Sequence, residues 1–103
     1  NSVLGVENKT LKKYGAVSEQ VAKQMAEGAL KRSKSTIAIS ITGVAGPGGS
    51  DCKPEGLVCF AVAKENGKTR TEAREYGPIG RSKVRFSAVK TAIDLLYEEM
   101  SVI

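Results

Sequence analysis

Leu57-Val58-Cys59-Phe60-Ala61-Val62-Ala63 is an unbroken apolar stretch in a chain of 103 residues. A strand with one face in water alternates apolar and polar residues. A continuous apolar strand instead predicts cover on both faces. The chain must therefore place a layer above and below this strand, and a chain of this length has material for one core and one domain. The stretch falls well short of the ~20 residues that cross a bilayer. No basic start leads into an apolar segment, so no signal peptide is visible. A cytoplasmic protein without membrane contact is the expectation. The chain starts at Asn1 rather than Met, as a processed chain or a fragment would.

The rest of the pattern supplies those layers. Asn1 to Val6 is a short lead-in, and Glu7 to Tyr14 reads as a short helix closed by Gly15. Ser18 is suited to cap a second helix, with Glu19 in its first turn. Val21, Met25 and Ala29 recur there at helical spacing beside Ala22, Ala26 and Leu30, out to about Arg32. Thr36 to Ile41 alternates Ile with small residues and predicts a strand with one well-buried face and one close-packed face. Asn66-Gly67 signals a hairpin turn after the apolar strand. Thr69 to Tyr76 alternates but is mostly polar, as an edge strand would be. Gly77-Pro78 ends it. Gly80 to Met100 then reads as a long helix, with Val84, Ala88, Ala92 and Leu95 on one stripe and Phe86, Val89, Ile93 and Leu96 beside it. The predicted order is helix, helix, strand, glycine loop, strand, hairpin, strand, helix.

Net charge is +5, with Lys9, Lys12, Lys13, Lys23, Lys31, Arg32 and Lys34 crowding the first third. Such clustering fits either a solvated helix face or a nucleic-acid footprint. The aromatic residues do not interleave with the charges as a base-stacking platform requires, which argues against nucleic acid. The chain has two cysteines and no histidine. A structural zinc site needs more ligands than that, so no metal is expected. Cys52 in a loop and Cys59 in a strand suit reduced thiols better than a disulfide. Without histidine, the chain carries no Ser-His-Asp or Cys-His mechanism of its own.

Chemistry concentrates between the first two strands. Gly43 to Gly56 holds five of the eleven glycines, within Thr42-Gly43-Val44-Ala45-Gly46-Pro47-Gly48-Gly49-Ser50 and its continuation. Glycines lack the Cβ that keeps ligands from backbone amides, and such amides can form an anion-binding nest. Ligands of open α/β sheets also favour the carboxyl ends of strands. The loop is neither a Walker loop nor a dinucleotide fingerprint, since no Gly-Lys-Ser/Thr follows and the next element is a strand. A plain surface loop fits the pattern equally well. Thr42 ends the strand with a hydroxyl fit to hold a substrate or a reacting water, or to bond its own loop. Lys53 in Lys53-Pro54-Glu55-Gly56 either touches an anion or is solvated. Arg81 and Arg85 share a helix face and together make a fork for phosphate or carboxylate. They fit equally well as a surface pair bonded to Glu72 or Glu75.

Four strings carry a family resemblance: Gly15-Ala16-Val17-Ser18, Ile41-Thr42-Gly43-Val44-Ala45-Gly46-Pro47-Gly48-Gly49, Lys53-Pro54-Glu55-Gly56, and Gly80-Arg81-Ser82-Lys83-Val84-Arg85. With Leu4-Gly5-Val6 ahead of the first helix, the chain resembles, over essentially its whole length, the C-terminal domain of the competence/damage-inducible CinA family. That family includes the bacterial nicotinamide-nucleotide amidases. The resemblance implies a three-layer α/β/α domain with a small mixed sheet, often oligomeric. It implies hydrolysis of nicotinamide mononucleotide to nicotinic acid mononucleotide and ammonia, in pyridine-nucleotide recycling, with no cofactor. On this resemblance Thr42 and Gly43 line the active site, while Ala45, Gly46, Gly48, Gly49 and Arg81 or Arg85 hold the nucleotide or its phosphate.

The resemblance also marks a difference. Family members carry a further segment, ahead of the point matching Asn1, with a Glu-Ser-x-Thr-Gly-Gly-like stretch and a Tyr-Ser-Asn-x-x-Lys stretch. Those stretches supply the serine and lysine assigned to catalysis, along with a helix and at least one strand. Neither is in these 103 residues. The expectation is a domain incomplete at its N-terminus, inactive alone, that pairs with the missing piece. The alternative is a non-catalytic domain of the same family, acting in competence or DNA-damage response through protein partners.

Overall fold

The computed structural model describes residues 2–3, 6–15, 17–43, 54–65 and 67–101. A two-residue hairpin pairs β1 (Ser2–Val3) with β2 (Val6–Glu7) ahead of helix α1 (Asn8–Tyr14). The sequence pattern starts that helix at Glu7. Glu7 instead pairs with Ser2, and its N–H donates to Gln24 Oε1 at 2.9 Å. Gly15 follows α1 in the left-handed conformation, with φ +81°.

Helix α2 (Glu19–Ser33) starts where the sequence places it. Ser18 Oγ accepts from the Val21 N–H at 3.2 Å and donates to the Gly15 carbonyl at 3.0 Å. The cap thus fixes the turn between the two helices as well as the helix start. Ala22 and Ala26 lie one turn apart and are wholly buried. Their small side chains let the helix backbone approach the sheet closely.

Strands β3 (Ile37–Gly43), β4 (Leu57–Lys64) and β5 (Arg70–Glu75) form an antiparallel sheet in that order. The apolar strand is central, as its continuous hydrophobicity demands. Its two faces are sorted by residue size. Cys59, Ala61 and Ala63 meet Ala22 and Ala26 of α2, whereas Val58, Phe60 and Val62 meet Val84, Ala88, Ala92 and Leu95 of helix α3 (Arg81–Ser101). Helix, sheet and helix give the three layers expected. The register carries this sorting onto β3, where Ala38, Ser40 and Thr42 share the α2 face and Ile37, Ile39, Ile41 and Gly43 share the α3 face. Ser40 Oγ donates to the Ala22 carbonyl at 2.5 Å across the α2 interface.

Cys59 is buried in the α2 layer, and Cys52 lies outside the described residues. One expectation changes. The isoleucine face of β3, expected to be well buried, is only partly covered: Ile41 is 40% exposed, while Phe60 beside it on β4 is fully buried. On β5, Arg70, Glu72 and Arg74 share the α3 face. Arg70 binds Glu98 and Glu99 of α3 as well as Glu72, and Lys64 Nζ reaches Glu99 at 3.0 Å.

Candidate functional site

The candidate site forms where β3 ends. Gly43 stands opposite Val58 in the ladder. A Cβ at position 43 would lie 3.0 Å from Val58 Cγ2 and 3.2 Å from the Leu57 carbonyl oxygen. Such distances are tighter than ordinary van der Waals contact, so a bare backbone suits this close approach. Beside it is a cavity of about 140 Å³ lined by Ile41, Gly43, Val58, Val84, Arg85 and Ala88. Five of these six residues have no polar side chain, and Arg85 supplies the single charge.

The first turns of α3 set Arg85 in place. Gly80 takes φ +95° and its carbonyl accepts from the Val84 N–H at 3.0 Å, which fixes where the helix starts. Val84 and Ala88 then pack on the sheet, and Arg85 falls at the edge of the hollow. Arg81 lies one turn earlier on the same side of the helix. Glu72 does not serve as Arg85's partner, because it is bound by Arg70 and Arg74. Among the described residues Arg85 pairs with no carboxylate, which leaves its guanidinium available to an anionic ligand.

Thr42 is placed differently. The strand's alternation puts it on the α2 face, in line with Ala38 and Ser40, and across the sheet from the Arg85 hollow. Thr42 and Arg85 therefore share an end of the sheet but not a face. Ala45, Gly46, Gly48 and Gly49, with Lys53, lie outside the described residues. The apolar lining residues Ile41, Val58, Val84 and Ala88 are absent from the site expected on sequence. Their signal was present as the isoleucine alternation and the four-residue spacing of Val84 and Ala88, but those patterns also describe ordinary core.

An apolar hollow with one guanidinium at its edge can take a small flat or aliphatic group joined to an anion. Cavities of about 150 Å³ hold a single benzene-sized ring. The fold and this hollow define an α/β/α domain with a ligand-sized recess at a strand end.

Comparison with known proteins gives its family. The family model described as the CinA C-terminal domain matches residues 1–100, and the chain belongs to that family. A CinA-like protein of Leptospira interrogans is 48% identical over 99 residues, which are 95% of this chain but 23% of that protein. The crystal structure of a competence/damage-inducible protein from Agrobacterium tumefaciens superposes with a TM-score of 0.87 at 48% identity, over 92% of this chain and 58% of that one. A competence damage-inducible protein A from Klebsiella pneumoniae gives a TM-score of 0.89 at 35% identity, over 98% of this chain and 62% of that one. The chain thus spans less than a quarter of the curated relative and about three fifths of the solved ones.

Proposed function

We propose that this chain carries the substrate-holding part of a nicotinamide mononucleotide amidohydrolase site. The reaction is water plus nicotinamide mononucleotide giving nicotinic acid mononucleotide and ammonia. The observation that carries the proposal is the apolar hollow of about 140 Å³ with Arg85 at its edge. A pyridine ring matches the hollow in size, and the nucleotide's phosphate matches the guanidinium in charge and geometry. Arg81, one turn away, and the amides of Ala45, Gly46, Gly48 and Gly49 are the further phosphate donors in this proposal.

Amide hydrolysis needs a nucleophile, donors for the tetrahedral oxyanion and a proton for the departing ammonia. On the family resemblance, a serine and a lysine outside these 103 residues supply the nucleophile and the proton. Thr42 ends the same strand but faces the α2 side, so in this proposal its hydroxyl orients only a part of the substrate, or a water, that lies beyond the strand end and outside the Arg85 hollow. Assembly as a homo-oligomer belongs to the same proposal.

Titration calorimetry tests the binding step. Nicotinamide mononucleotide is expected to bind, nicotinamide riboside to bind at least tenfold more weakly for want of the phosphate, and Arg85→Ala to lose a similar factor. Each tenfold change corresponds to about 1.4 kcal/mol. Equal affinity of the mononucleotide for the wild-type chain and Arg85→Ala would falsify the assignment of the phosphate to Arg85.

A further inference from the structure

The hollow beside Arg85 is distinguished by the sign of its charge as well as by its apolar walls. Val58, Val84 and Ala88 are buried, and Ile41 stands half-exposed beside them. Among the described residues no aromatic ring and no carboxylate line the space. Those are the two kinds of group that hold an organic cation, one through the face of its π-system and the other through its charge.

The surroundings carry one sign. Helix α3 has no acidic side chain in its first turn. From Arg81 to Lys90 its charged residues are Arg81, Lys83, Arg85 and Lys90, all positive. The helix start adds the positive end of the backbone dipole. The carboxylates on this face of the sheet are engaged elsewhere. Glu72 is bound by Arg70 and Arg74, Glu98 by Arg70, and Glu99 by Arg70 and Lys64. Glu98 also lies about 20 Å of helix beyond Arg85.

Nicotinamide mononucleotide presents such a site with two opposite charges. Its phosphate is an anion, which the guanidinium and the helix start favour. Its ring nitrogen carries the glycosidic bond, which makes the ring a pyridinium with a fixed positive charge. Moving a cation from water into an apolar recess is costly without a paired anion, and a like charge beside it adds to the cost. The field that attracts the phosphate therefore opposes the ring. An uncharged ring of the same size keeps the phosphate contact and escapes the penalty.

We propose, resting on the mononucleotide reading above, that the hollow selects its occupant by ring charge. Its preferred ligand is a phosphorylated ribonucleoside with a neutral six-membered ring, such as the dihydropyridine form of the mononucleotide. The oxidised pyridinium form is the disfavoured one. Ile41 and Arg85 set the preference together: one withholds an anion from the ring, and the other places a cation near it.

Titration calorimetry of the 103-residue chain with three ligands tests this. They are nicotinamide mononucleotide, its dihydropyridine form, and the neutral carbon isostere in which a benzamide ring replaces the pyridinium. The two neutral-ring ligands are expected to bind at least about tenfold more tightly than the pyridinium. Ile41→Glu supplies a carboxylate beside the ring and should cut that ratio to roughly twofold or less, by strengthening the pyridinium ligand. Arg85→Gln, at an exposed position, removes the like charge. It should weaken all three ligands and still narrow the ratio. Gln20→Glu makes the same change of net charge on α2, across the sheet, and should leave the ratio as in the wild type. Two results overturn the proposal and leave the mononucleotide reading standing: pyridinium binding as tight as that of the neutral ligands, or a ratio that neither Ile41→Glu nor Arg85→Gln moves. Failure of all three ligands to bind overturns the mononucleotide reading, and the proposal with it.

Discussion

Gly56 lies against the backbone of Gly77, so that a Cβ at position 56 would stand 2.3 Å from the Gly77 carbonyl oxygen and 2.5 Å from its nitrogen. The Gly56 carbonyl accepts from the Tyr76 N–H at 2.9 Å, which ties the start of β4 to the end of β5. Both glycines take positive φ, +89° and +81°, but a Cβ on Gly77 would meet nothing within 4 Å. The two positions separate conformational strain from collision. Gly77→Ala is expected to cost about 1 kcal/mol, the left-handed penalty alone. Gly56→Ala should cost at least about 3 kcal/mol, since backbone must move as well. Denaturant titration of both variants checks this, and equal losses would show that the close approach is not rigid.

The Glu99 carboxylate is held below its ordinary value of about 4.5, chiefly by the hydrogen bond from Lys64, with Arg70 adding to it against the opposing effect of burial. A carboxylate whose pKa is lower folded than unfolded adds stability that is whole above the unfolded value. That stability is lost as pH falls from about 4.5 through the folded value. The wild-type chain should therefore lose stability on this acid limb. Glu99→Gln should be less stable at pH 7 by about 1 kcal/mol, after allowance for solvent screening, and its acid limb should be shallower. Thermal unfolding from pH 7 to pH 3 measures both. An unchanged acid limb in the variant would remove Glu99 from the account.

Tyr76 and Thr91 should act as a coupled pair. The Tyr76 hydroxyl meets Thr91 Oγ1 at 2.5 Å and so joins the end of β5 to the middle of α3. Tyr76→Phe and Thr91→Val are each expected to cost about 1 kcal/mol. The double variant should cost less than the two together, because one bond is lost in all three. Strict additivity in a double-mutant cycle would contradict the bond.

Two phenylalanines give the sharpest contrast. Phe60 is fully buried between Val58 and Val62, whereas Phe86 is 75% exposed on α3. Phe60→Ala should cost about 3–5 kcal/mol through lost burial and the cavity left behind, a large share of the stability of a domain this size. Phe86→Ala in the 103-residue chain should stay within about 0.5 kcal/mol. Circular dichroism during urea titration distinguishes them. A large loss at Phe86 would mean that its ring is covered in solution.

Much of the architecture follows from local pattern. The apolar stretch around Phe60 required a central strand, the spacing of Ala22 and Ala26 required a helix against it, and Ser18 marked where that helix begins. These are short-range effects, set by capping, by the two-residue repeat of a strand and by the helical turn. Element ends moved where a side chain found a distant partner, as when Glu7 joined β1 and bonded Gln24 instead of starting α1.

The candidate site was less legible. Thr42, Gly43, Arg81 and Arg85 stand out in the sequence as polar or glycine positions near a strand end or helix start. Nothing local says that Thr42 and Arg85 face opposite sides of the sheet. The register of β3 against β4, and the choice of which face each helix covers, decide that. The same long-range pairing turns Ile41, Val58, Val84 and Ala88 from core residues into the wall of a hollow beside Arg85. The sequence by itself determined the layers, the central strand and the family, because periodicity and motif order act over a few residues at a time. The tertiary structure alone decided which residues share the hollow and which apolar surfaces stay uncovered, because both depend on contacts between segments far apart in the chain.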